Sequence, residues 1–252
     1  MRVKGLYFSL MLSLFFGLVA NLGNFAALNP VFAKPDAHAA GSVAGRVTID
    51  GQLPQPSRIS MTADPSCATT HHGPTVNEEL VTGTGGTLGN VIVFVSEGLG
   101  NRSFDVPAEP VEVDQKGCMY LPRVVGVQAQ QKLRFVNSDN TSHNIHPVPT
   151  NNREWNKAQP AGTTFEETFA REEIAIPVKC NVHSWMRSYI AVFKHPFFAV
   201  TSVDGHFDLR NLPPGEYTVE AWHEKFGAMK QAITVAPGEA KNMDFVFKAR
   251  AH

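Results

Sequence analysis

Charge of either sign is scarce in this chain. Its 22 Lys and Arg stand against 23 Asp and Glu, a net of -1 over 252 residues. That balance excludes a nucleic-acid binder working through a basic face and a protein held electrostatically on an anionic membrane. There is no run of like charges and no low-complexity tract. Nucleophile motifs, a phosphate-cradling glycine loop and a zinc-protease helix signature are missing too, so nothing points to a hydrolase. Cysteine is limited to three residues, and the one long apolar run lies in the first twenty.

That run, Leu6 to Ala20, follows Arg2 and Lys4, and Val31-Phe32-Ala33 supplies the residues a signal peptidase reads. Ala37-His38-Ala39 offers a second cut. Residues 1–33 are therefore expected to be a signal peptide and the mature chain to be periplasmic or otherwise exported. An uncleaved anchor is the alternative, and the only membrane attachment expected, because the run is near the lower limit for a span. No cysteine follows it closely, which argues against a lipoprotein.

Export implies an oxidising compartment, where an odd number of cysteines is informative. Cys180 lies in Cys180-Asn181-Val182-His183-Ser184-Trp185-Met186, with His143 upstream. A thiolate, two imidazoles and a weak axial thioether form the coordination set of an electron-transfer copper. His143, Cys180, His183 and Met186 are thus the candidate ligands of one copper ion. Cys67 and Cys118 remain as the disulfide candidate; a second metal site at Cys67, His71 and His72 is the alternative.

What is plentiful is turn residue, 20 Gly and 17 Pro among short apolar stretches, which suits an all-β fold. Val43 to Ile49 alternates as a strand, and Val91 to Val95 is a dense buried one. Leu53 to Gly89 reads as an irregular loop and residues 100–110 as a linker. Strands follow at Val111–Asp114, Val124–Val127 and Leu133–Val136, then a polar loop at 137–142 ending on His143. Residues 147–164 read as a long excursion without periodicity. Phe165, Thr168 and Phe169 suggest a strand; Ile174 to Val178 enters the Cys180 loop and Tyr189 to Phe193 leaves it. In a β-sandwich the strand ending at Val136 and the one ending at Lys179 would converge at one pole, bringing the ligands together.

The segment from about 109 to 194 resembles a cupredoxin, most closely the amicyanin and plastocyanin branch. The resemblance rests on Val113-Asp114, Met119-Tyr120-x-Pro122, Leu133 to Asn137, His143-Asn144-Ile145-His146 and the spacing of Cys180, His183 and Met186. It implies His143 as the first copper ligand, Cys180 as the thiolate, His183 as the second imidazole and Met186 as the axial thioether. Cys118 and the excursion after His146 depart from the small members of that family.

The tail resembles a second family. Asp204-Gly205-His206-Phe207 and Leu212-Pro213-Pro214-Gly215-Glu216-Tyr217 are similar to the carboxypeptidase regulatory-like, transthyretin-type sandwich. Such a domain begins with strands like Gly45–Ile49 and Val91–Val95, which here precede the cupredoxin-like segment. The expectation is a discontinuous sandwich of residues 41–98 and 197–249, with a cupredoxin domain of residues 99–196 inserted near Gly98 and His195-Pro196. Two consecutive domains are the alternative.

These readings imply an exported mononuclear copper protein carrying single electrons between redox partners such as a cytochrome or a membrane oxidoreductase. A copper carrier without that role and a metal-free cell-envelope binding or scaffold module are the alternatives. An enzyme is not expected, since four protein ligands leave no position for a substrate. His183 on its loop is the expected exit for the electron, and Trp185 is placed to pack over the sulfur. His146, His195 and His223 read as structural histidines, and Glu166, Glu167, Glu172 and Glu173 as a solvated edge.

Overall fold

The computed structural model describes residues 40–249 apart from His72, which places the expected signal peptide, residues 1–33, outside the described residues. Within them no helix is long and apolar enough to cross a membrane.

The first strands in chain order are β1 (Gly41–Asp50), β2 (Ile92–Glu97), β3 (Val111–Gln115), β4 (Tyr120–Leu121), β5 (Val124–Gln128) and β6 (Leu133–Asn137). Next come β7 (His143–Pro147), β8 (Lys157–Gln159), β9 (Thr164–Glu167), β10 (Glu173–Lys179) and β11 (Arg187–Phe193). Finally there are β12 (Phe198–Val200), β13 (His206–Leu212), β14 (Gly215–His223), β15 (Gly227–Val235), β16 (Ala240–Asn242) and β17 (Phe245–Lys248). A four-residue helix, α1 (Pro65–Ala68), lies between β1 and β2.

The chain is all-β and forms two sandwiches. In one, β1 pairs antiparallel with β13 and parallel with β16 and then β17, facing a sheet ordered β12-β2-β14-β15. Val43 and Val47 of β1, Val93 of β2, Val219 of β14 and Phe245 of β17 fill the space between, with Tyr217 in the same core. Strands from both ends of the described chain thus share one interior. The other sandwich packs β5-β11-β10-β7-β8 against β4-β3-β6-β9 around Val113, Phe135, Ile145, Phe169, Ile176 and Ile190.

A third apolar layer joins the two. Ile92 and Phe94 on the outer face of β2 meet Val124, Ala191 and Phe193. Strands β2 and β11 are therefore buried on both faces, which explains why Val91 to Val95 is continuously apolar rather than alternating. Within the layer Phe94 and Phe193 rings lie 5.1 Å apart, and Tyr189 meets Trp222 edge-on at 5.3 Å. At its rim Arg123 forms a two-pronged ion pair with Glu224, at 2.6 and 2.8 Å.

Three expectations need correction. Residues 147–164 contain a strand, β8, which pairs with His143–Ile145 although Lys157-Ala158-Gln159 has no apolar signature. The strand beside β10 at the ligand pole is β7, which His143 begins; β6, ending past Val136, belongs to the facing sheet. Glu173 is no solvated edge: it is buried, and its carboxylate accepts backbone hydrogens from Thr150, Asn151 and Asn152.

Candidate metal centre

The ligand pole is made by one strand start and one strand end. Strands β7 and β10 run antiparallel, with His146 opposite Lys179, so His143 comes level with the residues just past β10. Those residues form a tight loop: Cys180 N–H donates to Met186 O at 3.2 Å and Met186 N–H to His183 O at 3.0 Å. Asn144, beside His143, accepts from Asn181 N–H at 2.5 Å and fixes the loop to β7.

His143, Cys180 and His183 are brought together, each offering one ligand atom within 4.8 Å of the others. Nδ1 of His143 lies 2.8 Å from Nδ1 of His183, and Cys180 Sγ lies 4.0 Å from the latter. Met186 is fully buried in the same apolar cluster as Cys180. Cys180 is a free, buried thiol.

The outer nitrogens of both imidazoles are already committed. His143 Nε2 meets Asp139 Oδ2 at 2.9 Å, and His183 Nε2 meets Asp64 Oδ2 at 2.9 Å. A carboxylate only accepts, so each Nε2 carries a hydrogen, and the two Nδ1 atoms are left facing the common centre. In the metal-free protein the two Nδ1 atoms lie within hydrogen-bond distance, and a bound cation would take the place of the hydrogen between them. A soft thiolate and two imidazole nitrogens meet a copper ion's demands, so this donor set fits the ion the sequence suggested.

The electrostatics agree. Burial alone would raise the Cys180 thiol, but hydrogen bonding from His143 and from backbone N–H groups of the loop outweighs it and lowers the pKa to about 7. Burial alone would lower His143, but Asp139 and Cys180 hold it up at about 9. The bond from His183 holds Asp64 down to about 2, against the opposing effect of burial.

Asp64 and Asp139 were not among the sequence-derived candidates. Asp139 lies in the polar loop before His143, where Gly117 N–H and Cys118 N–H donate to its two oxygens. Asp64 is 119 positions from His183 and caps α1, accepting from Ser66 N–H at 2.8 Å. A hydrophilic Asp ahead of a cysteine was the sole sequence signal for it.

Cys67 and Cys118 are joined as a disulfide. Cys67 therefore offers no thiolate to the alternative second metal site; His71 Nε2 bonds to Gly117 O at 2.7 Å, and His72 is outside the described residues. The expected electron exit is corrected as well: His183 is only 2% exposed, and its outer edge is covered by Asp64 and by Cys67 Sγ at 3.6 Å. Trp185 packs on the His183 ring, centroids 5.0 Å apart, and its N–H donates to Cys118 O. His146 bonds to Asn181 and Glu154, away from the ligand atoms. His195 and His223 are buried in or beside the other sandwich, each accepting a backbone N–H.

Residues 190–248 match the carboxypeptidase regulatory-like domain family. No curated protein matches the chain. Among solved structures it is similar to the purple cupredoxin of Nitrosopumilus maritimus, at 19% identity over 32% of this chain and 98% of that one, TM-score 0.29. An amicyanin variant in its Cu(I) form is 18% identical over 40% of this chain and 97% of that one, TM-score 0.30. The copper-containing nitrite reductase of Thermus scotoductus SA-01 is 19% identical over 37% of this chain, TM-score 0.33, and the match spans only 26% of that enzyme.

Proposed function

We propose that this chain is an exported mononuclear copper protein that carries single electrons between larger redox partners. The observation supporting it is the convergence of a free buried thiol and two imidazole Nδ1 atoms whose outer nitrogens are held by carboxylates. His143, Cys180 and His183 would hold the ion, with the Met186 thioether as a further donor. Copper supplies the one-electron Cu(II)/Cu(I) couple.

The chain's residues supply rigidity. His143 begins β7 and Cys180 directly follows β10, its pairing partner, and the loop between Cys180 and Met186 is closed by two backbone hydrogen bonds. Ligands held on such elements move little when the ion's charge changes, which keeps reorganisation small. Cys180 lowers to about 7 before any ion is bound, so the sulfur is readily ionised near neutral pH. Trp185 and the apolar cluster limit access of water to it.

Adding one equivalent of Cu(II) to the full chain should give an intense visible band and a mononuclear paramagnetic signal. Cys180→Ser should abolish the band; a colourless wild type without tight copper binding would refute the proposal. A second reading, a copper carrier without an electron-transfer role, is favoured by one observation: the outer edge of His183 is covered. Rapid oxidation of the reduced protein by a cytochrome would decide for electron transfer, and copper hand-over without it for the carrier.

A further inference from the structure

One part of the centre comes from far outside the ligand-bearing sheets. Residues 57–77 leave the first sandwich between β1 and β2 and are closed at their base, where Asn77 N–H donates to Ser57 O and Ile59 N–H to Thr75 O. The tip docks into the second sandwich, burying Met61 and Cys67 in its core. There the disulfide to Cys118 and the bond from His71 to Gly117 O fasten it beside the ligand pole.

Asp64 stands at that tip with its two oxygens doing different things. Oδ1 accepts from Ser66 N–H and caps α1, a task that Ser, Thr or Asn performs equally well. Oδ2 is not needed for the cap; it faces His183 Nε2 at 2.9 Å, with Thr141 Oγ1 donating to it at 3.3 Å. A carboxylate is the one capping group that also puts a negative charge there. The charge lies one imidazole away from the ligand atom, on a half-buried carboxylate that faces a buried ring.

Building on the copper reading, we propose that Asp64 is a positioning residue of the centre, fixing His183 with Nδ1 toward the ion and favouring Cu(II) over Cu(I). A nearby anion stabilises the divalent ion more than the monovalent one. Asp139 acts likewise on His143, but its oxygens also pin two backbone N–H groups, so it is the poorer residue to vary.

The test uses the full chain with Asp64→Asn, which keeps the cap and a hydrogen-bond acceptor but removes the charge, and Asp64→Ser, which keeps the cap and loses the reach. With one copper bound, Asp64→Asn should shift the Cu(II)/Cu(I) preference toward Cu(I) by tenfold or more, a rise of at least about 59 mV for one electron. A potential unchanged in both variants overturns the proposal. In the metal-free protein, nitrogen-15 NMR should find the His183 hydrogen on Nε2 in the wild type and its slow exchange lost in Asp64→Ser. An unchanged His183 signal in Asp64→Ser overturns the positioning role. Should wild type and variants alike fail to take up copper, it is the copper reading that falls, and the NMR result alone decides whether Asp64 holds His183.

Discussion

Removing the carboxylate of Glu224 should destabilise the whole protein. Arg123 and Glu224 are 4% and 6% exposed, and their two parallel N–H···O contacts join the two sandwiches at the rim of the shared apolar layer. Glu224→Ala would leave a guanidinium buried without its counter-charge, which typically costs about 3–5 kcal/mol. An exposed pair would lose less than about 1 kcal/mol. At about 2–4 °C per kcal/mol for a domain of this size, the melting midpoint should fall by roughly 6–20 °C. Urea unfolding followed by circular dichroism and by fluorescence gives the free energy, and Trp222, in the layer itself, reports the contact. The double variant Arg123→Met/Glu224→Leu should recover most of the loss, because it removes the buried charges together. A Glu224→Ala loss below about 1 kcal/mol, or a double variant as unstable as the single, would refute this reasoning. The effect should reach the ligand loop as well. Arg123 O accepts from Tyr189 N–H and its guanidinium contacts Arg187 O, the residue after Met186.

Gly45 lies where β1 changes partner from β16 to β17, and a Cβ there would run into the Met243 carbonyl. Gly45→Ala should therefore cost at least about 2 kcal/mol in denaturant titration, a backbone obstacle having no rotamer to escape into. His223 is fully buried with Nε2 unpartnered, and burial, aided by Arg123 and Lys225, lowers its pKa to about 4. The unfolded chain then binds the extra proton between pH 6.5 and 4, so stability is full above that window and lost as pH falls through it. The complete loss should approach roughly 3 kcal/mol, at about 1.4 kcal/mol per pKa unit, and His223→Asn should flatten that part of the stability–pH curve.

Much of the fold was legible because it obeys one rule at a time. Val43 to Ile49 alternates since one face of β1 is wet, and the Cys180–Met186 loop stands out by residue type and spacing. What escaped was encoded in polar residues whose burial only the assembled fold reveals. Strand β8 has no apolar residue larger than Ala158; it holds its place through Gln159, whose amide bonds to Gln115, Phe135 O and Thr163 O in the interior. Glu173 looks like any member of an acidic pair until the turn at 150–152 folds onto it. Asp64 and Asp139 are ordinary loop aspartates by sequence, and nothing in local pattern couples position 64 to position 183.

The disulfide accounts for why both carboxylates can be held at once. Asp139 takes the backbone N–H of Gly117 and Cys118, while Asp64 caps the helix that contains Cys67. One covalent link therefore ties the two segments that set the two imidazole orientations. Core burial of Cys67, Met61 and Met186 and the hydrogen bonds to the carboxylates hold those orientations. The outer excursion is thus part of the centre itself, and the two sandwiches are not separable without taking Asp64 away from His183.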